Sequence, residues 1–186
     1  PKYKVVLDRF KAETKRWMIN ILDTGFIPES IKLNISKKEG LHNYVSNGKY
    51  PIANIIKVAD LASERDSKNV KKLISYMKDD NPIVRYWAAT GCLILEKNDA
   101  IAAGDLEKLL KDDLIDTRIV AAESLCHLGK YKVAEPIYLQ ALKDENQMIR
   151  LHAINSLQAI HSFVDKIQMK EALNMMIAKN CKNMNQ

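Results

Sequence analysis

Two related stretches decide the fold: DNPIVRYWAATGCL at residues 80–93 and its echo DTRIVAAESL at residues 116–125. The Arg in each stretch stands seven residues after the Lys of a Lys-acid-acid triplet. A third copy with the same spacing lies downstream. The triplets are Lys78-Asp79-Asp80, Lys111-Asp112-Asp113 and Lys143-Asp144-Glu145. They are separated by 33 and then 32 residues. Because self-similarity at a fixed period is the sequence sign of a repeat architecture, we predict a repeat of about 33 residues.

Apolar residues recur at helical intervals within each unit, which predicts two amphipathic helices per repeat. The second, inner helices carry Ala88, Cys92 and Leu95; Ala121, Leu125 and Leu128; and Ala153, Leu157 and Ile160. The first, outer helices carry Val70, Leu73, Ile74 and Met77; Leu106, Leu109 and Leu110; and Ala134, Ile137 and Leu142. Small residues at 88, 89, 121, 122 and 153 would let neighbouring inner helices approach closely.

The pattern around Pro82 to Leu93 resembles the short HEAT-like repeat family, and neither a tetratricopeptide nor an ankyrin motif is present. That resemblance implies an all-α fold, a right-handed α-α superhelix in which each unit buries its apolar face against the next. The acids between the two helices of each unit are expected to cap the helix that follows. Helices at about Pro51 to Ser63 and Lys166 to Lys179 are expected to close the two ends, so the repeat domain spans residues 51–186.

Residues 1–50 have a different character. Residues 5–22 predict one amphipathic helix, with Val6, Phe10, Trp17, Ile21 and Leu22 as its anchors. Residues 31–50 lack a sustained period and are rich in Ser, Asn, Gly and Lys, so we predict an irregular connector there.

The run KRWMINILDTGFIPE at residues 15–29 resembles the segment that follows the catalytic domain in a group of bacterial sulfatases. The similarity continues through YPI at 50–52, ADLAS at 59–63 and VRYWAATG at 84–91. The resemblance implies that this chain is the C-terminal HEAT-like extension of a periplasmic or secreted sulfatase. It further implies that the parent's missing catalytic domain holds a calcium ion and a formylglycine nucleophile.

No catalytic centre is expected within the chain itself. Formylglycine arises in a Cys/Ser-x-Pro-x-Arg motif, and none of Cys92, Cys126 and Cys181 stands in one. Their spacing matches no metal site, so we interpret Cys92 and Cys126 as buried thiols. The four histidines, at positions 42, 127, 152 and 161, show no metal-ligand spacing either. We interpret His127 and His152 as residues of the repeat layers. We therefore predict no cofactor or metal in this fragment.

Charge argues against nucleic acid as the main partner. The net charge of +6 comes mostly from residues 1–50, which hold 10 Lys/Arg against 5 Asp/Glu, whereas residues 51–186 hold 19 against 18. A nucleic-acid-binding solenoid would carry a basic face along its body. No apolar run is long enough to span a membrane, and the start at Pro1 without a signal peptide is typical of a processed or engineered fragment.

Five residues are candidates for an interaction surface. Arg85, Arg118 and Arg150 recur at the repeat period and are expected to form a ladder bonded to neighbouring turn acids, with an anion-binding ladder as the alternative. Tyr86 and Trp87 point about 100° apart on one helix, so one of them could be exposed. The competing interpretation packs Trp87 on the preceding helix and Tyr86 on the N-terminal connector.

The leading hypothesis is a non-catalytic scaffold that packs against its parent's catalytic domain, or presents a surface to a protein partner. The alternative is a module that binds a polyanion, either sulfated glycan or nucleic acid, through the basic N-terminal segment and the arginine ladder. A third possibility, a HEAT-like DNA-repair enzyme, lacks a basic face and an evident catalytic acid in an aromatic pocket.

Overall fold

The computed structural model describes residues 2–95 and 103–160. Every regular element in these two ranges is helical, which confirms the all-α prediction. The α-helices are α1 (Lys4–Asn20), α2 (Glu29–Lys38), α3 (Leu41–Ser46), α4 (Ile52–Ser63), α5 (Val70–Tyr76), α6 (Pro82–Ile94), α7 (Ala103–Leu109), α8 (Ile115–His127), α9 (Tyr131–Ala141) and α10 (Gln147–Ala159). Short 3-10 helices span Thr24–Phe26 and Ser67–Asn69.

The inner helices α6, α8 and α10 repeat with the period that the sequence predicts. Each has 13 residues, and they begin at Pro82, Ile115 and Gln147, which gives intervals of 33 and 32 residues. Helix α4 packs on α6, α6 on α8, and α8 on α10, while the outer helices α5, α7 and α9 pack on α6, α8 and α8 respectively. Each inner helix thus contacts its neighbours along the chain, as stacked units require. The right-handed superhelical path stays a prediction.

Helix α8 is the centre of the core because it is buried on two sides. Its residues Val120, Ala121 and Leu125 belong to the apolar cluster shared with α4, α5 and α6. Ile119 and Cys126, among others, belong to a second cluster shared with α9 and α10. The five predicted small residues are all fully buried between the helices; they are Ala88, Ala89, Ala121, Ala122 and Ala153.

The first acids of the triplets shape the turns that precede the inner helices and do not cap those helices, as the sequence predicts they would. The first acid of each triplet, Asp79, Asp112 or Asp144, accepts the backbone N–H two residues later at 2.8–2.9 Å, and so shapes the turn. The helix caps themselves are Asn81 for α6 and Asn146 for α10, whose side chains accept N–H groups of the first turn. Helix α8 has no side-chain cap at Leu114.

The predicted irregular connector at residues 31–50 is wrong, because α2 and α3 occupy most of it. Both are short and bury few residues, among them Ser30 and Ile35 in α2 and Val45 in α3. Gly40, at φ +80°, turns the chain between them. Tertiary burial of these few side chains stabilises helices whose own apolar period is too short to read from sequence.

The predicted anchors of α1 are mostly wrong as well. No residue of α1 is buried, and Val6, Phe10, Trp17 and Ile21 are all exposed. Of the predicted set only Leu22, just beyond the helix, packs against the core, together with Met18 and Ile19. Most of the apolar stripe that defines the helix in sequence is therefore exposed, and Phe10 borders an open groove that Asp60, Ser63 and Glu64 also line.

The two predicted end helices have different outcomes. The first is confirmed as α4, whose buried face includes Ile52, Ile55, Ile56 and Ala59. The second, at Lys166 to Lys179, lies outside the described residues, as do His161 and Cys181. Within the described ranges, no helix combines the length and apolar character needed to cross a membrane.

Candidate functional site

Arg85, the first member of the predicted ladder, is held by four hydrogen bonds. Its Nε and one terminal nitrogen donate to the two carboxylate oxygens of Asp112 at 2.6 and 3.1 Å, a bidentate pair between successive repeats. The other terminal nitrogen donates to the backbone carbonyls of Asp79 and Asp80 at 2.9 and 3.0 Å. The Asp112 hydrogen bond raises the pKa of Arg85, against the opposing effect of burial. The Arg85 guanidinium therefore links two successive repeats.

The other two arginines stand at the equivalent repeat position, and only Arg150 shares the carbonyl contacts of Arg85. Arg150 donates to the carbonyls of Asp144 and Glu145 at 2.8 and 2.9 Å, which repeats the carbonyl contacts of Arg85. Arg118 instead donates to the side-chain oxygen of Gln140 at 3.1 Å, and its buried Nε has no hydrogen-bond partner within the described part of the chain. Arg85 and Arg150 thus brace turns, whereas Arg118 joins α8 to α9, and of the three only Arg85 bonds the carboxylate of a turn acid. A role of the ladder in binding stays a prediction.

Trp87 contacts the N-terminal segment and Tyr86 contacts α10, and both side chains are half-buried. The indole N–H of Trp87 donates to the carbonyl of Phe26 at 2.9 Å, and the two rings meet edge to face with centroids 5.9 Å apart. Tyr86 packs edge-on against the imidazole of His152, with centroids 6.4 Å apart. Trp87 therefore binds the N-terminal segment, the place that the competing interpretation gave to Tyr86.

A polar cluster that the sequence analysis missed lies next to Tyr86. The carboxylate of Asp116 accepts hydrogen bonds from the Ser30 hydroxyl and from Nδ1 of His152, the latter at 2.9 Å. Asp116 is 3% exposed and His152 24%. The amide of Asn146 donates to the backbone carbonyl of Ser30 at 3.2 Å. This cluster ties α2 to both α8 and α10.

The order of the cluster decides its chemistry. A nucleophilic serine needs its hydroxyl on the imidazole, so that the imidazole can accept the proton. Here the carboxylate of Asp116 stands between Ser30 and His152, and the Ser30 hydroxyl donates its hydrogen bond to Asp116 and not to the imidazole. The arrangement clamps three helices together and provides no activated hydroxyl.

The cluster forms one wall of a small open cleft. The rest of the lining is Pro28, Glu29, Tyr86, Met148, Leu151 and Asn155. A sequence signal for it did exist, because Asp116 stands at the repeat position occupied by Ile83 in the preceding unit, where Ile83 is fully buried. A charged residue at an apolar core position points to a buried partner.

A second polar group, made of Glu123, Tyr138 and Ser156, lies between α8, α9 and α10. Burial raises the pKa of Glu123, while its hydrogen bond with Ser156 and the charges of His127 and His152 oppose the rise. The hydroxyls of Tyr138 and Ser156 are 2.7 Å apart, and burial raises the pKa of Tyr138. These groups satisfy one another in the interior, as buried polar groups must.

The two described cysteines are buried and free, as the sequence predicts. Burial raises the pKa of Cys92 and of Cys126 to about 12, so neither thiol forms the thiolate that nucleophilic or metal chemistry requires. In residues 2–95 and 103–160, no group of three or more His, Cys, Asp or Glu side chains is arranged to hold a metal ion.

The most exposed apolar surface lies on α1. Tyr3, Val6, Phe10, Trp17 and Ile21 follow the i, i+3, i+4 and i+7 spacing that places them on one side of the helix, and we call them the α1 stripe. Phe10 is 59% exposed and Trp17 61%. Val5 and Leu7, outside the stripe, are exposed as well. Contiguous exposed apolar surface is typical of interaction sites.

A scan against protein-family models finds no match for the chain, and neither does a search of curated protein sequences.

Proposed function

We propose that this chain is a non-catalytic helical-repeat module, built as a right-handed α-α superhelix, that packs through α1 against the catalytic domain of a sulfatase. The observation that carries the proposal is the α1 stripe. Burial of each large stripe side chain would contribute roughly 1.5–3 kcal/mol, so a domain that covers the stripe gains several such contributions.

The link between α1 and the repeat body supports a bracing role. Lys15 pairs with Asp60 of α4 at 3.0 Å, although both side chains are well exposed and the pair adds little by itself. After α1, the Tyr50 hydroxyl donates to the carbonyl of Asp23 at 2.6 Å. Ile27 and Tyr50 are both buried in the core that contains α4 and α6. A domain held by α1 would therefore be fixed relative to the repeats.

The resemblance to sulfatases gives the neighbour its identity in this proposal. The similar run at residues 15–29 lies in α1 and the turn that follows it. In sulfatases the corresponding segment directly follows the catalytic domain, so α1 would stand at the junction. Formylglycine chemistry, the calcium ion and a periplasmic or secreted location belong to the proposed parent.

The polyanion-binding alternative gains nothing from the geometry of the ladder. Arg85 and Arg150 spend their guanidinium donors on Asp112 and on backbone carbonyls of the turns. A polyanion would have to break the Asp112 pair before it could bind Arg85, whereas Arg150 engages one terminal nitrogen on the turn carbonyls. The remaining basic residues lie mainly in the first fifty residues.

The parent's coding sequence and a pair of double variants test the proposal. A Cys/Ser-x-Pro-x-Arg motif encoded upstream of Pro1 would support the sulfatase relationship. In that full-length protein, F10S/W17S should lower the stability of the catalytic domain by about 2 kcal/mol or more, as loss of two central interface aromatics does. The control V133S/L151S changes two apolar side chains that are also exposed, but outside α1.

Thermal unfolding of the full-length variants, followed through sulfatase activity, provides the readout. Equal melting temperatures for the F10S/W17S variant, the V133S/L151S variant and the unmodified protein would refute docking through α1.

A further inference from the structure

The turn after α3 contains the one Asn–Gly pair of the sequence, Asn47-Gly48. Both residues are exposed. The N–H of Asn47 still belongs to the end of the helix, because it donates to the carbonyl of Asn43 at 3.1 Å. Gly48 then takes φ +81°, a conformation that glycine adopts at little cost. A Cβ atom on Gly48 would meet nothing within 4 Å, so the space beside this turn is open.

The backbone nitrogen of Gly48 is available for reaction with the Asn47 side chain. In the described part of the chain, no carbonyl accepts a hydrogen bond from the Gly48 N–H. Ring closure requires rotation about ψ of Asn47, which is 13° in this turn. The side-chain bond that opposes this rotation is a single hydrogen bond, from the Lys49 N–H to Oδ1 of Asn47 at 3.2 Å. The turn therefore holds the two reacting groups only weakly apart.

The reaction between these groups needs no reagent besides water. The Gly48 nitrogen loses its proton and attacks Cγ of the Asn47 amide, where glycine has no side chain to obstruct a five-membered ring. The new N–Cγ bond forms as the Cγ–NH₂ bond breaks, so ammonia leaves with the proton and a succinimide remains. Water then adds to one of the two imide carbonyls and breaks its bond to nitrogen. The product is aspartate or, when the backbone carbonyl is attacked, isoaspartate.

We propose that Asn47 is a modification site, at which spontaneous deamidation produces aspartate and isoaspartate and the isoaspartate form loosens the anchoring of Tyr50. In isoaspartate the backbone runs through Cβ and is one bond longer. Val45 and Tyr50, on either side of the turn, are both buried in the same apolar cluster, so the added bond must be absorbed between two fixed residues. The hydroxyl of Tyr50 donates to the carbonyl of Asp23, and this tie to the N-terminal segment weakens when Tyr50 shifts.

Incubation of the 186-residue chain in mildly alkaline buffer, followed by peptide mass mapping, tests the site. The internal control is Asn155, which is also exposed and precedes a small residue, but Ser156 is buried within α10, where its N–H belongs to the helix ladder. We expect the amide-to-acid mass change at Asn47 to accumulate more than about tenfold faster than at Asn155, because local opening of α10 must precede attack there. Asn47→Gln, whose longer side chain cannot close the five-membered ring, should show no such change. Equal rates at Asn47 and Asn155 would overturn the proposal.

Separation of the aged protein into its two products tests the effect on Tyr50. Enzymatic methylation of isoaspartyl carboxyl groups identifies the isoaspartate fraction. The matched control is the Asn47→Asp variant, which carries the same new charge on a backbone of normal length. We expect the isoaspartate fraction to melt several degrees below Asn47→Asp, and Asn47→Asp to melt close to the unmodified chain. Equal melting temperatures for the isoaspartate fraction and Asn47→Asp would show that the turn absorbs the longer backbone, and would overturn the claim that Tyr50 is loosened.

Discussion

Helices α8 and α1 present opposite relations between sequence pattern and burial. Helix α8 has ten buried residues among its 13, distributed around its circumference, so its apolar residues form no clean stripe. Helix α1 has a clear apolar stripe and no buried residue among its 17. Amphipathic patterning thus identifies a face that seeks a partner, and it does not say whether that partner lies in the same fold. In α8 the partners are neighbouring helices; in α1 we place the partner in another domain.

The largest expected effect tests this contrast directly. Leu125→Ala removes a fully buried side chain from the core between α8 and its neighbours. We expect a loss of about 2–5 kcal/mol in unfolding free energy, from lost apolar transfer and the cavity left behind. Phe10→Ala in α1 should change the stability of the 186-residue chain by less than about 0.5 kcal/mol. Urea unfolding of both variants measures the difference, and comparable losses would mean that α1 is packed in the isolated chain.

The next effect concerns the electrostatic link between repeats. Arg85→Lys keeps the charge but cannot reproduce the bidentate pair with Asp112, which is 4% exposed, or the two carbonyl bonds. We expect a loss of about 1.5–3 kcal/mol. Arg118→Lys, at the equivalent position with a single Gln140 partner, should cost less than half as much. Equal losses in chemical unfolding would show that the bidentate pair contributes nothing specific.

A smaller effect probes how closely the helices approach. A Cβ atom on Gly91 would lie 2.8 and 2.9 Å from the methyl carbons of Leu73 and 3.1 Å from Cα of Ala62. We therefore expect Gly91→Ala to destabilise the chain by about 1–2 kcal/mol, even though Ala favours a helix. Gly104→Ala in α7, where a Cβ meets nothing within 4 Å, is the matched control and should be neutral or stabilising. A stabilised Gly91→Ala variant would mean that α4, α5 and α6 are packed more loosely.

The smallest effect depends on pH. Burial raises the folded-state pKa of Glu123, so its favourable contribution is present below the unfolded pKa of about 4.3 and is lost as pH rises through the folded value. Glu123→Gln removes this titration and should be more stable than the unmodified chain at pH 7, by up to about 1 kcal/mol because the group is partly exposed. The difference should shrink toward pH 4. Thermal melts at pH 4 and pH 7 measure the stability difference between Glu123→Gln and the unmodified chain, with Glu107→Gln as the exposed control. The same stability difference at both pH values would contradict this prediction.

The sequence predicts the periodic part of the fold well because each repeat states its pattern again. The starts of α6, α8 and α10, and the buried alanines between them, follow from that period. Helices α2 and α3 could not be predicted, since a few buried side chains from distant parts of the chain stabilise them. The Ser30–Asp116–His152 cluster joins residues 86 and 36 positions apart, a proximity that no local spacing encodes.

The central proposal is that α1 becomes buried against the catalytic domain of a longer parent protein, and hydrogen exchange measures this most directly. In the isolated 186-residue chain, we predict rapid exchange of amides in the first turns of α1 and slow exchange in α8. In the full-length protein, exchange in α1 should slow by more than tenfold, about the change that 1.4 kcal/mol of added local stability produces. Unchanged exchange in α1 between the two proteins would contradict the account.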